Sequence, residues 1–248
     1  MMKGNKNNDL DYKLALATIE PFNVILEGES GAGKEYFAKL IHKRRSWAKD
    51  LIVIDWECDY HNQPKILDNF LKDNLQRITD LADGQRNTYF LRRIDLLDLS
   101  IHMKLFEALR EEAKRGATSK NQLYRLGLIY SWEKTRNGRV QYNNLSFSSF
   151  RELFPLTIEV PPLRERRKEI HSISYSILHS VNQKQNRKVV GFSEESIEMF
   201  SRYSWPNNLD EFESEIERAV ALTRDYDVIK PQVLSKKLVQ NHVLFMTT

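Results

Sequence analysis

The run Gly28-Glu29-Ser30-Gly31-Ala32-Gly33-Lys34-Glu35 stands directly behind the apolar stretch Asn23-Val24-Ile25-Leu26. Residues of these types at this spacing can bind an anion. Three glycines let successive backbone N–H groups turn inward around a charge, and Lys34 adds a cation. A helix starting there points its positive end at the same spot. Residues 35–45 read as that helix, with Phe37, Ala38, Leu40 and Ile41 on one stripe. The plainer alternative is a glycine turn with a solvated lysine; the agreement of the spacing with both flanks weighs against it. The general phosphate-loop pattern places Ser or Thr after the lysine to hold Mg²⁺, and here Glu35 occupies that position.

The elements that position this loop alternate in type. Asp9 to Ile19 reads as a short leading helix stopped by Pro21, and Phe22 to Leu26 as the first strand. Leu51 to Trp56 is a second strand, apolar throughout most of its length as buried parallel strands are. A helix is expected over 64–81, a strand over Thr88-Tyr89-Phe90-Leu91 ending in Arg92-Arg93, and a helix over 99–114. A fourth strand over 123–130, a long loop or small hairpin over 133–148 and a fifth strand over 156–160 complete the series. Such alternation argues for an α/β fold, a parallel sheet with helices on both faces. After Arg167 it stops. Residues 169–183, 193–203 and 209–223 all read as helices, the second opened by Ser193-Glu194-Glu195-Ser196 with acids in its first turn. The expected organisation is therefore an α/β subdomain over 1–165 and a helical lid over 166–248.

Composition sets bounds on the function. The 248 residues are 41% hydrophobic and 29% charged, and the mean hydropathy of −0.56 is that of a soluble protein. No segment approaches the ~18 apolar residues of a membrane helix, and the polar first residues do not read as a signal peptide. Cys58 is the only cysteine, so there is no internal disulfide or thiolate metal site, and a reducing cytoplasm is the expected compartment. A net charge of +4 permits nucleic-acid contact without arguing for it. The runs Lys43-Arg44-Arg45 and Arg164 to Lys168 read as solvated or interface charges, and Tyr203 and Trp205 as core anchors of the lid.

Several stretches together resemble the AAA+ domain of bacterial enhancer-binding proteins, the ATPases that remodel sigma-54 RNA polymerase. Leu26 to Glu35 is similar to that family's GExGTGKE, in which Glu after the lysine is normal. Ala38 and Ile41-His42 fit its AxxIH. Val160-Pro161-Pro162-Leu163-Arg164-Glu165-Arg166 matches LPPLRER, and Tyr203 to Phe212 followed by Glu217-Arg218-Ala219 tracks YxWPGNVREL…ERA. The resemblance spans roughly residues 8–225. It implies a five-stranded sheet, a helical lid and a nucleotide, ATP or ADP, held by residues 28–35.

The departures fall where the family's chemistry resides. Its third strand ends in Asp-Glu, which order Mg²⁺ and polarise the attacking water; Arg92 and Arg93 stand there instead. Asp95 and Asp98 lie past the strand end as fallback acids. The family's fourth-strand Asn corresponds to Ser131, and the lid arginine of VREL to Asp210. The segment FRxDLYYRL survives only as Phe150-Arg151-Glu152-Leu153-Phe154, leaving Arg151 as one retained arginine finger. Nothing between Glu57 and Asn87 resembles GAFTGA, the loop that grips sigma-54. The family's second-strand Asn, which hydrogen-bonds the catalytic Glu, is Asp55 here, and an ion pair of Asp55 with Arg93 is weighed against a solvated Arg93.

The expectation drawn from all this is a degenerate module that keeps nucleotide binding, is an inactive or very weak ATPase with Mg²⁺ in doubt, and acts as a regulatory or interaction protein. Self-association or a mixed ring with a competent relative would be its mode of partnership. Direct DNA binding by this stretch is not expected: no helix-turn-helix is read after residue 225 and no sensory domain before residue 8. Two rivals remain open, an active sigma-54-remodelling ATPase and a nucleotide-free protein-binding scaffold.

Overall fold

Val24 to Gly28 is buried at every position, as a strand with a parallel neighbour on each side and helices over both faces must be. This is β1, and in the computed structural model it lies between β4 (Leu128–Glu133) and β5 (Leu156–Glu159). The other two strands are β2 (Ala48–Asp55) and β3 (Arg86–Arg92), and the full order is β2-β3-β4-β1-β5, every pairing parallel. The structure describes residues 6–19, 22–56, 62–72, 86–116, 127–134 and 156–246. These form two compact units, one of residues 1–28 with 34–160 and the other of residues 29–33 with 161–248. Where the sequence suggests a boundary at 165, the chain passes between units at Val160–Pro161, and the five loop residues 29–33 belong with the second unit.

In the first unit the sheet is joined by α1 (Lys6–Ile19), α2 (Lys34–Arg44), α3 (Gln63–Phe70) and α4 (Leu99–Gly116). Ile25, Tyr89, Leu91 and Tyr130 from the strands pack with Leu67 and Phe70 of α3 and Leu105 and Leu109 of α4. β2 is an edge strand, and Val53 on it is 46% exposed. The expected helix over 64–81 is described only as far as residue 72, and the expected loop over 133–148 falls largely outside the described residues, as does Arg151. Among the described residues the fourth strand runs from Leu128 to Glu133; residues 123–126 of the expected strand lie outside them. Gly127 before it has φ +60, and a Cβ there would stand 2.7 Å from the Trp47 ring. A left-handed residue under an aromatic ring defines where extended backbone can begin.

The buried Arg45 contradicts the reading of residues 43–45 as a solvated run. It is 2% exposed and donates to the carbonyls of Ala17, Phe22 and Gly127 at 2.9–3.0 Å. Its guanidinium also lies 4.8 Å from the Trp47 ring centroid. Burial lowers its pKa to about 10. Three backbone acceptors from separate stretches of chain are a tertiary arrangement that composition does not announce.

The second unit contains α5 (Ile170–Gln185), β6 (Gly191–Phe192), α6 (Glu194–Arg202), α7 (Asn208–Leu222), β7 (Val228–Ile229) and α8 (Lys236–Met246). The three expected helices are present, and Ser193 caps α6 by accepting from the Ser196 N–H at 3.2 Å. The short pair β6–β7 and the last helix were not read from the sequence. Trp205 is fully buried among Phe200, Phe212 and Tyr203, and its indole N–H donates to the Phe200 carbonyl at 2.7 Å.

His102 of α4 is buried beside Trp132, and burial lowers its pKa to about 4. Between pH ~6.5, the unfolded value, and about 4, the unfolded chain takes up a proton that the folded chain refuses. Stability therefore falls with acidification across that window, with a slope approaching ~1.4 kcal/mol per pH unit from this group. Denaturant titrations at about pH 7 and about pH 5 should show the loss in the wild type. The loss should be smaller in His102→Leu.

Candidate phosphate-binding site

In the first unit, β1 ends at Gly28 and α2 begins at Lys34. Lys34 is 9% exposed, and its ammonium donates to the Gly28 carbonyl at 3.0 Å. Glu35 follows in the first helical turn, where a carboxylate complements the helix dipole, and it pairs with Lys39 at 2.6 Å. Lys34 thus sits at the carboxyl edge of a parallel sheet, the edge at which α/β folds bind ligands.

The neighbouring strand tips carry Asp55, Arg92 and Arg93. Asp55 and Arg92 are direct partners in the β2–β3 ladder, and Arg92 Nη1 donates to Asp55 Oδ2 at 3.0 Å. The same nitrogen is 4.0 Å from Glu35 Oε2. Arg93 leaves the strand in the left-handed region, with φ 56 and ψ 46. Its N–H donates to the hydroxyl of buried Ser131 at 2.9 Å, and its guanidinium pairs with Glu133 at 3.1 Å. An ion pair at Asp55 is present as weighed from the sequence, but its cation is Arg92. The register explains the correction: position 92 is the last ladder partner, and the turn at 93 points its side chain toward β4. Next to it, Lys134 pairs with Glu27 at 3.1 Å and Glu159 at 3.2 Å. Despite the cost of burying it, the hydrogen bond that Lys134 donates to Glu27 raises its pKa. Asp98, one fallback acid, is exposed and uses its carbonyl to accept the His102 N–H at 2.9 Å. Among the described residues no group of three or more His, Cys, Asp or Glu side chains is arranged to hold a metal ion.

The second unit holds the glycine loop. Gly31 and Gly33 have φ +67 and +95, conformations that side chains rarely adopt. Glu29 accepts a two-pronged ion pair from Arg164 at 2.6 and 2.8 Å. The hydrogen bond to Glu29 raises the arginine's pKa. Asn208, 1% exposed and itself left-handed at φ 52, donates to Glu29 at 3.2 Å and to the Ser30 carbonyl at 2.8 Å. Its own carbonyl oxygen accepts the Leu163 N–H at 2.8 Å. The Leu209 N–H donates to the Gly31 carbonyl at 3.0 Å. Arg166, 9% exposed, bonds the Ala32 carbonyl at 3.4 Å and Glu169 at 2.7 Å. Arg164 and Arg166 are therefore structural, in contrast to the solvated reading of that run. Asp210 puts a carboxylate oxygen 2.8 Å from where a Cβ on Gly31 would stand, so an acid borders the loop at the position that the resemblance pairs with a lid arginine. The asparagine and the Glu29–Arg164 pair were missed from sequence, although all three residues lie in the quoted motifs.

Residues 3–146 match the family model described as Sigma-54 interaction domain, and residues 164–244 match the AAA+ ATPase lid domain. The luminescence regulatory protein LuxO of Vibrio campbellii (strain ATCC BAA-1116) is 26% identical over 234 residues, 89% of this chain and 51% of LuxO. The Nif-specific regulatory protein of Azospirillum brasilense is 29% identical over 245 residues, 93% of this chain and 38% of that protein. The chain spans about half the length of the curated relatives it matches. Among solved structures, NtrX from Brucella abortus in complex with ATP superposes with a TM-score of 0.65 at 16% identity, covering 99% of this chain and 60% of NtrX. The RuvB Holliday junction branch migration motor of Thermotoga maritima does so at 0.56 with 15% identity, covering 98% of this chain and 70% of RuvB. These two likenesses concern the fold.

Two stability measurements check the site. Asp55→Asn should cost about 1 kcal/mol or less, because the pair is partly exposed. A double-mutant cycle with Arg92→Gln should return a coupling energy of ~0.5 kcal/mol, whereas the cycle with Arg93→Gln should return none. Asn208→Ala should cost about 2 kcal/mol or more, since it leaves the buried Leu163 N–H without its acceptor and keeps a left-handed backbone without the asparagine.

Proposed function

We propose that this chain, which belongs to the Sigma-54 interaction domain family, is a degenerate AAA+ module of a transcription regulator that binds ATP or ADP and hydrolyses ATP poorly or not at all. The observation that carries this reading is the charge at the tip of β3. Phosphoryl transfer needs a Mg²⁺-ordering Asp and a water-polarising Glu there. Arg92 is committed to Asp55, and Arg93 turns away toward Ser131 and Glu133.

Binding and turnover separate in such a site. Residues 28–35 keep the backbone donors and the lysine that neutralise phosphate, work that calls for no acid. Two functions that the resemblance assigns to these positions, polarising water and reading the γ-phosphate, have no matching side chain at Arg93, Ser131 or Asp210. Bound nucleotide would then set a conformation instead of driving a cycle. A module of this kind acts through protein contact, by self-association or by entering a ring with a competent relative, with the one retained finger, Arg151, offered in trans. Its relatives are named as regulators, and NtrX has been crystallised with ATP and with ADP, which supports the choice of ligand. Engagement of sigma-54 is not part of the proposal, because no GAFTGA-like sequence occurs between Glu57 and Asn87.

The rival without nucleotide is favoured by one contact, the Asp210 carboxylate against Gly31. Thermal melts decide between them. ATP or ADP at a hundredfold excess over Kd should stabilise the chain by ~2.7 kcal/mol, and Lys34→Ala should abolish the effect. On the same preparation, steady-state ATP turnover with Mg²⁺ should stay near background. A rate near the ~1 s⁻¹ order of ordinary enzymes would refute the degenerate reading, and an unshifted melt would refute nucleotide binding.

A further inference from the structure

The guanidinium of Arg92 stands in a place where phosphate-loop proteins ordinarily need a metal ion. Its Nη1 is 3.0 Å from Asp55 Oδ2 and 4.0 Å from Glu35 Oε2. Glu35 directly follows Lys34, at the position where the general loop pattern carries the hydroxyl that ligates Mg²⁺. The Asp55 carboxylate is thus already turned toward a cation of the chain, and Glu35 is held by Lys39 at 2.6 Å with Arg92 at 4.0 Å. A divalent ion entering here would compete with Arg92 and Lys39 for those carboxylates and meet a permanent positive charge at ion-pair distance.

We infer that Arg92 takes the place of the divalent cation, so that this chain binds the polyphosphate of ATP or ADP free of Mg²⁺ at least as tightly as the magnesium complex. The inference rests on the nucleotide-binding reading above and specifies the ionic form of the ligand. A guanidinium has five N–H donors in a planar fork suited to two oxygens of one phosphate, and it does not deprotonate. The Arg92 side chain is 42% exposed, so solvent screens its hold on Asp55 and the cost of exchanging a carboxylate for phosphate oxygens is small. Lys34 lies at the start of the adjacent helix with the positive helix end behind it. A metal-free polyphosphate carries the higher negative charge, and two fixed side-chain cations with a helix N-terminus complement it. Magnesium would cancel part of that charge in solution, before binding, and weaken the attraction.

The test is calorimetric titration of the whole chain with ATP, once in excess magnesium and once in excess chelator. The expected result is equal or tighter binding in chelator. Arg92→Gln should lose about tenfold or more in chelator, the size of a hydrogen bond to a charged group, and should bind better with magnesium than without. Arg92→Lys should retain most of the metal-free affinity, which separates lost charge from lost folding; the unliganded melting temperature of each variant provides the second control. Binding that needs magnesium in the wild type overturns this inference and leaves the nucleotide-binding reading standing. An unchanged ratio of the two affinities in Arg92→Gln also overturns it. Absence of heat in both conditions, with melts unshifted by ATP, overturns the nucleotide-binding reading itself.

Discussion

The register of β3 between β2 and β4 is the constraint on which the chemistry of the first unit depends. Parallel pairing sets Asp55 opposite Arg92 and Leu91 opposite Tyr130. A slip of one residue would exchange the faces of every side chain on the strand, and the apolar run Tyr89-Phe90-Leu91, buried throughout, forbids it. The hydrophobic part of the strand thus fixes which residue becomes the last to extend into the carboxyl edge. Arg92 reaches Asp55 and the start of α2, while Arg93 is the first residue of the turn. The left-handed backbone at 93 is sustained by the Ser131 hydroxyl and the Glu133 carboxylate, two contacts on the same neighbouring strand. The ion pairs at this edge are therefore outcomes of core packing several residues away.

In the second unit the glycine loop is held by hydrogen-bond donors. Backbone carbonyls of Ser30, Gly31 and Ala32 are each taken up by a donor, from Asn208, Leu209 and Arg166 respectively. Within the loop itself the Ala32 N–H donates to the Glu29 carbonyl at 3.2 Å. The Glu29–Arg164 pair fixes the loop at its entry, with each charge neutralised by a two-pronged contact. Asp210 is the exception to this logic. It places negative charge against the loop.

The strand–helix alternation, the lid helices and the loop were legible because they are written in local patterns: a glycine–lysine spacing, apolar runs of strand length, an N-cap serine followed by acids. The partner of Asp55 was not, since choosing between adjacent arginines requires the exact register and the backbone sign at residue 93. Arg45, Arg164 and Arg166 were misread for a related reason. A basic cluster looks solvated in one dimension, and its acceptors here are carbonyls or a carboxylate up to 135 residues away. The last helix went unread because no motif marked it. Arg151 and most of the interval after Trp56 lie outside the described residues.

The glycine loop and the lid belong to one compact unit although 127 residues of chain separate Gly33 from Pro161. That discontinuity has a consequence for how the protein reaches its native state. Contacts closed over so long a stretch are slow to form, and during synthesis residues 29–33 leave the ribosome long before Arg164, Arg166 and Asn208 exist to hold them. The loop would wait, exposed and unconstrained, through the making of the whole sheet. A fragment cut at residue 161 would leave Arg164 without Glu29 and Asn208 without the Ser30 carbonyl, so the helical segment expressed alone lacks the partners its buried polar groups were placed to meet. The lid of this protein is, in that respect, completed by residues 29–33, far upstream in the chain.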